Sequence, residues 1–285
     1  MSLLKRIDIL FFGYFTITTA MLLLSWHQFP NVLDLLFTRA VVLLVCIGLI
    51  YLDSKYGHPL PRLIRNTYPI ILSGYFYSET VFYNKLFFDN IDPLLVNIEA
   101  VLFGFQPSLE FSSYFTNKFF SEIMYFGYFS FYVLILGFTL YVYFKKKPFF
   151  NEAVFLLSAS LYLFYFIFGL LPSEGPQFYF SAPDNILPNA YFFDKIIHFI
   201  QLTAEQPTGA FPSSHVGVSV IIMIMTRKRV PLFFKIAFPF VVILILSTVY
   251  IKAHYLIDVI GAIIVAPLIL YLSNILYSFT ARKNT

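Results

Sequence analysis

Eight apolar stretches of roughly 16–25 residues divide this 285-residue chain, at residues 9–25, 34–52, 67–82, 122–144, 152–171, 210–226, 232–251 and 255–279. A helix crossing a bilayer needs about 20 mostly apolar residues, and only helices or closed barrels can bury their own backbone polar groups in lipid. The pattern therefore predicts an all-α polytopic membrane protein with about eight transmembrane helices. Composition agrees, because charged residues are 12% of the chain against about 25% in a soluble domain. That is too little charge to cover a water-facing surface or to build the dense basic face that nucleic acid requires. Soluble, disordered and nucleic-acid-binding classes are excluded, and a lipid bilayer is the expected surrounding. The third stretch is the weakest, being short and interrupted by Ser78 and Glu79. Lys5 and Arg6 precede the first stretch as they would in a signal peptide. No small-residue cleavage site follows near Trp26 and Pro30, so the stretch reads as a retained span. Cys46 stands alone in an apolar run, which excludes an intrachain disulfide and a thiolate metal cluster and leaves a small buried hydrophobe.

Charges sort by side of the membrane. With eight spans both termini share one face, and that face collects 14 of the 19 basic residues with only Asp8, Asp53 and Glu152 opposing them. The other face holds Arg39, Lys85, Lys118, Lys195 and Lys252 with twelve acids, so the net +4 conceals +11 on one side and −7 on the other. By the positive-inside rule the first face, with both termini, is cytoplasmic. Each basic cluster reads as a solvated stop signal. Two outer-face connectors, residues 83–121 and 172–209, exceed the usual length of plain loops and are expected to carry structure or function. The first holds Asn90-Ile91-Asp92-Pro93 and an apolar run through Phe105, as in an interfacial or re-entrant helix. The second holds Pro172, Pro176, Pro183, Pro188 and Pro207. The chain is expected to divide into an N-terminal part, 1–120, of spans and an outer interfacial segment, and a catalytic membrane core, 121–285.

Two motifs carry chemistry. Gly209-Ala210-Phe211-Pro212-Ser213-Ser214-His215 stands at the outer mouth of the sixth span. Pro212 suits a first helical turn, and the free N–H groups of that turn, with Ser213 and Ser214, form an anion site favoured by the helix dipole. His215 sits directly in it. The second motif runs from Ser247 to Asp258 and contains Lys252 and His254. Positions i and i+4 of a helix share a face, so Asp258 is expected to accept a hydrogen bond from one ring nitrogen of His254 and raise the basicity of the other, as in a hydrolase triad. An aspartate inside an apolar span is expensive and marks function. The topology puts both motifs on one side. Together they supply a nucleophile (His254), a proton donor (His215) and an anion site, the equipment for phosphoryl transfer through a covalent phosphohistidine.

These residues resemble the second and third motifs of the type 2 phosphatidic acid phosphatase superfamily, over roughly residues 120–280. Pro212 to His215 matches its Pro-Ser-Gly-His motif, and Ser247, His254 and Asp258 match the spacing of its Ser-Arg-x5-His-x3-Asp motif. The run from Ser247 to Gly261, with Phe211-Pro212-Ser213-Ser214-His215, looks most like the inositol phosphorylceramide synthase branch, an inositolphosphotransferase. The resemblance implies a six-helix catalytic core in which His254 attacks phosphorus and Asp258 orients it. It further implies that His215 protonates the leaving alcohol, that Ser213 and Ser214 hold phosphate oxygens, and that no metal or other cofactor is needed. The pattern departs at the phosphate clamp: Gln177, in Leu171-Pro172-Ser173-Glu174-Gly175-Pro176-Gln177, stands in an arginine's place, and Thr248 replaces the third-motif arginine. Lys252, Lys195 and His198 are candidate replacements on the same face. A pocket poor in cations suits a phosphodiester better than a monoester dianion, which favours a transferase acting on a lipid phosphate, with a (sphingo)lipid or inositol as the alcohol. A lipid phosphate phosphatase, a transporter of lipid-linked phosphate and a non-catalytic binder are the alternatives.

Overall fold

The computed structural model describes residues 4–282, and every regular element among them is helical. Two long helices, α1 (Arg6–Leu24) and α2 (Val32–Tyr56), are followed by a bent pair, α3 (Pro59–Ile71) and α4 (Ser73–Glu79). The first of the two long connectors folds as α5 (Asp92–Phe103) and α6 (Pro107–Tyr114). Two long helices, α7 (Lys118–Lys145) and α8 (Lys147–Leu170), come next. The second connector carries a single turn, α9 (Pro176–Tyr179), and α10 (Phe193–Thr203). The chain ends with α11 (Ser214–Arg229), α12 (Pro231–Tyr250) and α13 (Leu256–Arg282).

Six of these, α1, α2, α7, α8, α12 and α13, are long and apolar enough to cross a membrane. The remaining two expected spans take other forms. Residues 67–82 are split at Leu72, which ends α3 and starts α4, and a 3-10 turn at Thr80–Phe82 closes the segment. Residues 210–226 become α11, which starts only at Ser214 and has 16 residues. At 1.5 Å per residue that is about 24 Å, shorter than the roughly 30 Å hydrocarbon layer. The short helix is enclosed by α7, α8, α12 and α13.

Between helices in lipid there is little hydrophobic driving force, so close packing and polar contacts hold the bundle. Glycines set two of the contacts. A Cβ at Gly217 of α11 would lie 2.0 Å from the Phe164 ring of α8, and one at Gly127 of α7 would lie 2.1 Å from Ser247 Oγ of α12. The sparsely buried α2 is anchored by ion pairs at both ends. At one end Arg65 of α3 pairs with Asp8 of α1 and at 3.1 Å with Asp53 of α2, which Lys5 also meets at 2.8 Å. At the other, Arg39, 2% exposed, meets Glu79 of α4 at 2.6 Å and also donates to Thr18, Thr19 and the Phe15 carbonyl of α1.

Breaking a buried pair by removing one partner strands the other charge. Arg39→Met is expected to destabilise the protein by about 3–5 kcal/mol, and Arg39→Met with Glu79→Met to regain most of that. Thermal unfolding in detergent checks both. A double variant no more stable than the single one would refute the pairing.

Candidate functional site

His254 is not on a helix. α12 ends at Tyr250 and α13 begins at Leu256, and between them Lys252 takes a left-handed backbone, φ 61°. That break turns the chain back so that the His254 N–H donates to the Thr248 carbonyl at 3.1 Å. The imidazole, 3% exposed, points at the start of α11. Its Nε2 lies 3.4 Å from Nδ1 of His215, and its Nδ1 lies 2.9 Å from the Ala210 carbonyl. A carbonyl can only accept, so Nδ1 carries the proton and Nε2 presents its lone pair to His215. Burial lowers the basicity of the ring to a pKa of about 4, against the opposing pull of the Ala210 carbonyl and Glu205.

Asp258 orients this ring less directly than helical spacing suggests. Its Oδ2 is 3.5 Å from His254 Nδ1, but that oxygen also accepts the Tyr255 N–H at 2.8 Å, as an acid at the third position of a helix does for the residue before it. The i, i+4 face argument fails because His254 precedes the helix. The Ala210 carbonyl is the closer partner.

At α11, Ser213 is the N-cap, and its side chain accepts from the Val216 N–H at 3.3 Å. Its own N–H is taken by the Asp258 carbonyl, so its role here is to cap the helix. The N–H groups of Ser214 and His215, the first two of the helix, have no intrahelical acceptor. They are the donors best placed for an anion, and Ser214 is buried beside them. The His215 ring packs against Tyr128 and Phe131 of α7 at centroid distances of 4.8 and 4.4 Å.

Two expected residues are not brought to the histidines. Ser247 is fully buried between α12 and α7, where its hydroxyl donates to the Ile243 carbonyl at 2.6 Å, one turn into the helix. Lys252, swung aside by its own backbone, donates from Nζ to the carbonyls of Asp184 and Ile186 at 2.5 and 2.9 Å. Lys195 and His198 are exposed on α10. Among the described residues no arginine or lysine pairs with Asp258 or Glu205 in place of the missing clamp. Gln177 instead donates from Nε2 to Glu205 at 2.5 Å and accepts from Gln201 at 2.7 Å. Among the described residues no three His, Cys, Asp or Glu side chains converge to hold a metal ion.

Three carboxylates that motif reading passed over shape the site. Asp92, at the start of α5, accepts the N–H groups of Glu174 and Gly175 at 2.7 and 2.9 Å and the Tyr255 hydroxyl at 2.9 Å. Glu99, two turns on, accepts the Ile257 N–H at 3.0 Å and so caps α13 from outside. Their signal in the sequence is a spacing of seven in an otherwise apolar helix, which puts both on one face. Glu205 accepts from the Tyr128 hydroxyl at 2.7 Å as well as from Gln177. Burial raises its pKa, opposed by those two hydrogen bonds and by His254. It lies in a connector with no motif around it.

Asp92→Ala would leave two buried N–H groups and a hydroxyl unpaired, at about 1–3 kcal/mol each. A lower melting temperature and faster hydrogen exchange at Glu174 and Gly175 are expected, with Asp92→Asn intermediate. Unchanged exchange at those amides would show that Asp92 does not hold the loop.

Searches of curated proteins and of solved structures returned no match to this chain. A family model did match, over residues 94–272, well over half the chain and spanning α5 to most of α13. That match contains His215, His254, Asp258, Glu99 and Glu205, with Asp92 just before its start, and by it the chain belongs to the PAP2 superfamily.

Proposed function

We propose that this protein is a membrane phosphotransferase that moves a phospho-head group of a lipid phosphodiester through a covalent phosphohistidine on His254, at the non-cytoplasmic face. Superfamily membership and six apolar helices fit a membrane lipid phosphatase or phosphotransferase. The observation that carries the finer reading is the pairing of His254 Nε2 with His215 Nδ1 at 3.4 Å, with His254 Nδ1 held by a carbonyl. A proton fixed on Nδ1 leaves Nε2 free to attack, and His215 stands where a leaving oxygen would need a proton.

The cycle balances. Nε2 of His254 bonds to phosphorus, the bond from phosphorus to the leaving oxygen breaks, and that oxygen takes the Nδ1 proton of His215, which enters as the imidazolium and is left as the neutral ring. An acceptor alcohol then bonds to phosphorus, the N–P bond breaks, and His215 recovers a proton from the acceptor. A phosphoryl group between the rings requires two successive contacts of about 3 Å each, so the rings part when substrate enters. The N–H groups of Ser214 and His215 supply hydrogen bonds to its oxygens. An apolar groove of about 300 Å³, lined by Phe105, Phe111, Leu246, Val249 and Leu256, reaches the start of α13 and suits an acyl chain.

The outer placement rests on charge. α11 begins at the histidines and ends at Arg227, Lys228 and Arg229, so the site lies at the end away from the basic cluster. Transfer to an alcohol is preferred over hydrolysis because the pocket has no clamp for a monoester dianion, and the motif likeness to inositol phosphorylceramide synthases supports head-group transfer.

Acid-labile trapping of label from a head-group-labelled lipid phosphodiester tests the reading. Label is expected on His254, abolished in His254→Ala, and slowed about 10²–10⁴-fold in His215→Ala. A wild type that binds lipid phosphate but labels no histidine would replace catalysis by a binding role.

The pH profile is a second test. In His215→Ala, where only the nucleophile titrates, a base with a pKa near 4 is deprotonated at every pH above it, so the slowed labelling of His254 is expected to stay level from pH 8 to about pH 5 and to fall only below that. A decline already complete near pH 6.5, the ordinary imidazole value, would show that the ring is not desolvated.

A further inference from the structure

Beside the histidine pair lies a group of side chains that the phosphoryl chemistry does not use. Gln201 donates to Gln177, Gln177 donates to Glu205, and Tyr128 donates to Glu205 from the other side. The partly buried Glu205 carboxylate thus sits one tyrosine ring from His215, whose imidazole lies on the Tyr128 ring at 4.8 Å. Tyr132, one helical turn beyond Tyr128 and 40% exposed, shares that face of α7. Tyr77 of α4 closes the far side through its hydroxyl, 3.2 Å from the Thr208 carbonyl. All three tyrosines lie within electrostatic reach of Glu205.

Among the described residues Glu205 has no lysine or arginine ion pair; the salt bridges there involve other acids. Lys252, the nearest cation along the motif, is tied to carbonyls of the 184–186 loop. An unpaired, partly buried carboxylate next to a site for a phosphate is unfavourable on both counts, since it lacks a counter-charge and repels the ligand. A ligand carrying its own cation removes both penalties. A carboxylate with tyrosine side chains close by is the kind of surroundings that ammonium groups prefer.

We propose that Glu205, with Gln177, Tyr77, Tyr128 and Tyr132, forms a head-group site for a phosphodiester bearing an ammonium group, of the phosphocholine or phosphoethanolamine kind. The ammonium lies against Glu205 and the tyrosines while its phosphate lies between His215 and His254. The assignment rests on the reading that a phosphodiester meets His254, and it deepens that reading by naming the head group. It also accounts for Gln177. A glutamine keeps the carboxylate positioned without neutralising it, whereas an arginine there would occupy the cation's place.

Calorimetric titration of the His254→Ala protein in detergent, which cannot turn over, tests the site by itself. Free phosphocholine is expected to bind about tenfold more tightly than inositol phosphate. Adding Glu205→Gln, which keeps the Tyr128 hydrogen bond but not the charge, is expected to weaken phosphocholine about tenfold and leave inositol phosphate unchanged. Tyr132→Ala, at an exposed position of α7, is expected to weaken phosphocholine in the same selective way. Inositol phosphate binding as tightly as phosphocholine, no binding of either, or equal loss for both in Glu205→Gln would overturn the site. Labelling from phosphatidylcholine and phosphatidylinositol vesicles separates the two claims. Selective phosphocholine binding without histidine labelling would sink the catalytic reading and keep the head-group site. Equal labelling from both lipids would do the reverse.

Discussion

The backbone break between α12 and α13 is the constraint on which the rest of the site depends. A helix continued through residues 251–255 would satisfy its own polar groups but would carry His254 past the mouth of α11. Breaking it exposes N–H and C=O groups that membrane depth does not tolerate unpaired. The surrounding segments supply the partners. The Lys252 carbonyl accepts from Gln177, the His254 N–H donates to Thr248, the Ser213 N–H donates to Asp258, and the Ile257 N–H donates to Glu99. The proline-rich connector, α5 and the cap of α11 converge there because each completes part of that accounting. Lys252 adopts a left-handed backbone that costs a non-glycine residue about 1–2 kcal/mol, and its two Nζ hydrogen bonds to the 184–186 loop help to offset that cost.

Carboxylates do at this end what arginines and lysines do at the other. Asp92, Glu99 and Asp258 all accept backbone N–H groups around the start of α13, where the helix dipole favours negative charge. The clustering of acids at this end is therefore partly structural. In exchange the site gives up the cations that usually screen a phosphate, and its donors are the N–H groups at the start of α11. Those are fixed dipoles that need no reorganisation as charge develops, which is the regime in which such donors count most.

Where the sequence was legible, a periodicity or a spacing carried the signal. Six of the eight expected spans are long continuous helices, and both connectors carry helices as their length suggested. Residues 67–82 misled because apolar content does not report continuity, and the break at Leu72 follows from packing against α8 and from burying Glu79 on Arg39. His215, His254 and Asp258 were found from spacing, yet their geometry was not. The i, i+4 argument presumed a helix, and the left-handed Lys252, invisible without a glycine to mark it, removed that helix. Ser247 fitted a motif spacing but serves the close contact with Gly127. Glu205 could not be read at all, since a single acid in a loop gains meaning only from what two distant segments, at Tyr128 and Gln177, bring to it.

The desolvation of His254 bears on which half of the proposed cycle is favoured. A less basic imidazole is a weaker nucleophile toward the donor, so burial slows the first half relative to a solvated histidine. The same low basicity makes it a better leaving group from phosphorus, which speeds the second. Such a balance suits a donor and acceptor that are both alcohols, where neither half has a strong intrinsic drive and an overly stable phosphohistidine would stall turnover. Once phosphorylated, the ring keeps its Nδ1 proton against the Ala210 carbonyl, with Asp258 at 3.5 Å to stabilise the cationic character it acquires. A carboxylate near a group that becomes positive only as an intermediate stabilises that intermediate more than the resting state. A lipid zwitterion would complete the same charge pattern from the substrate's side, placing its cation on Glu205 and its anion at the helix terminus.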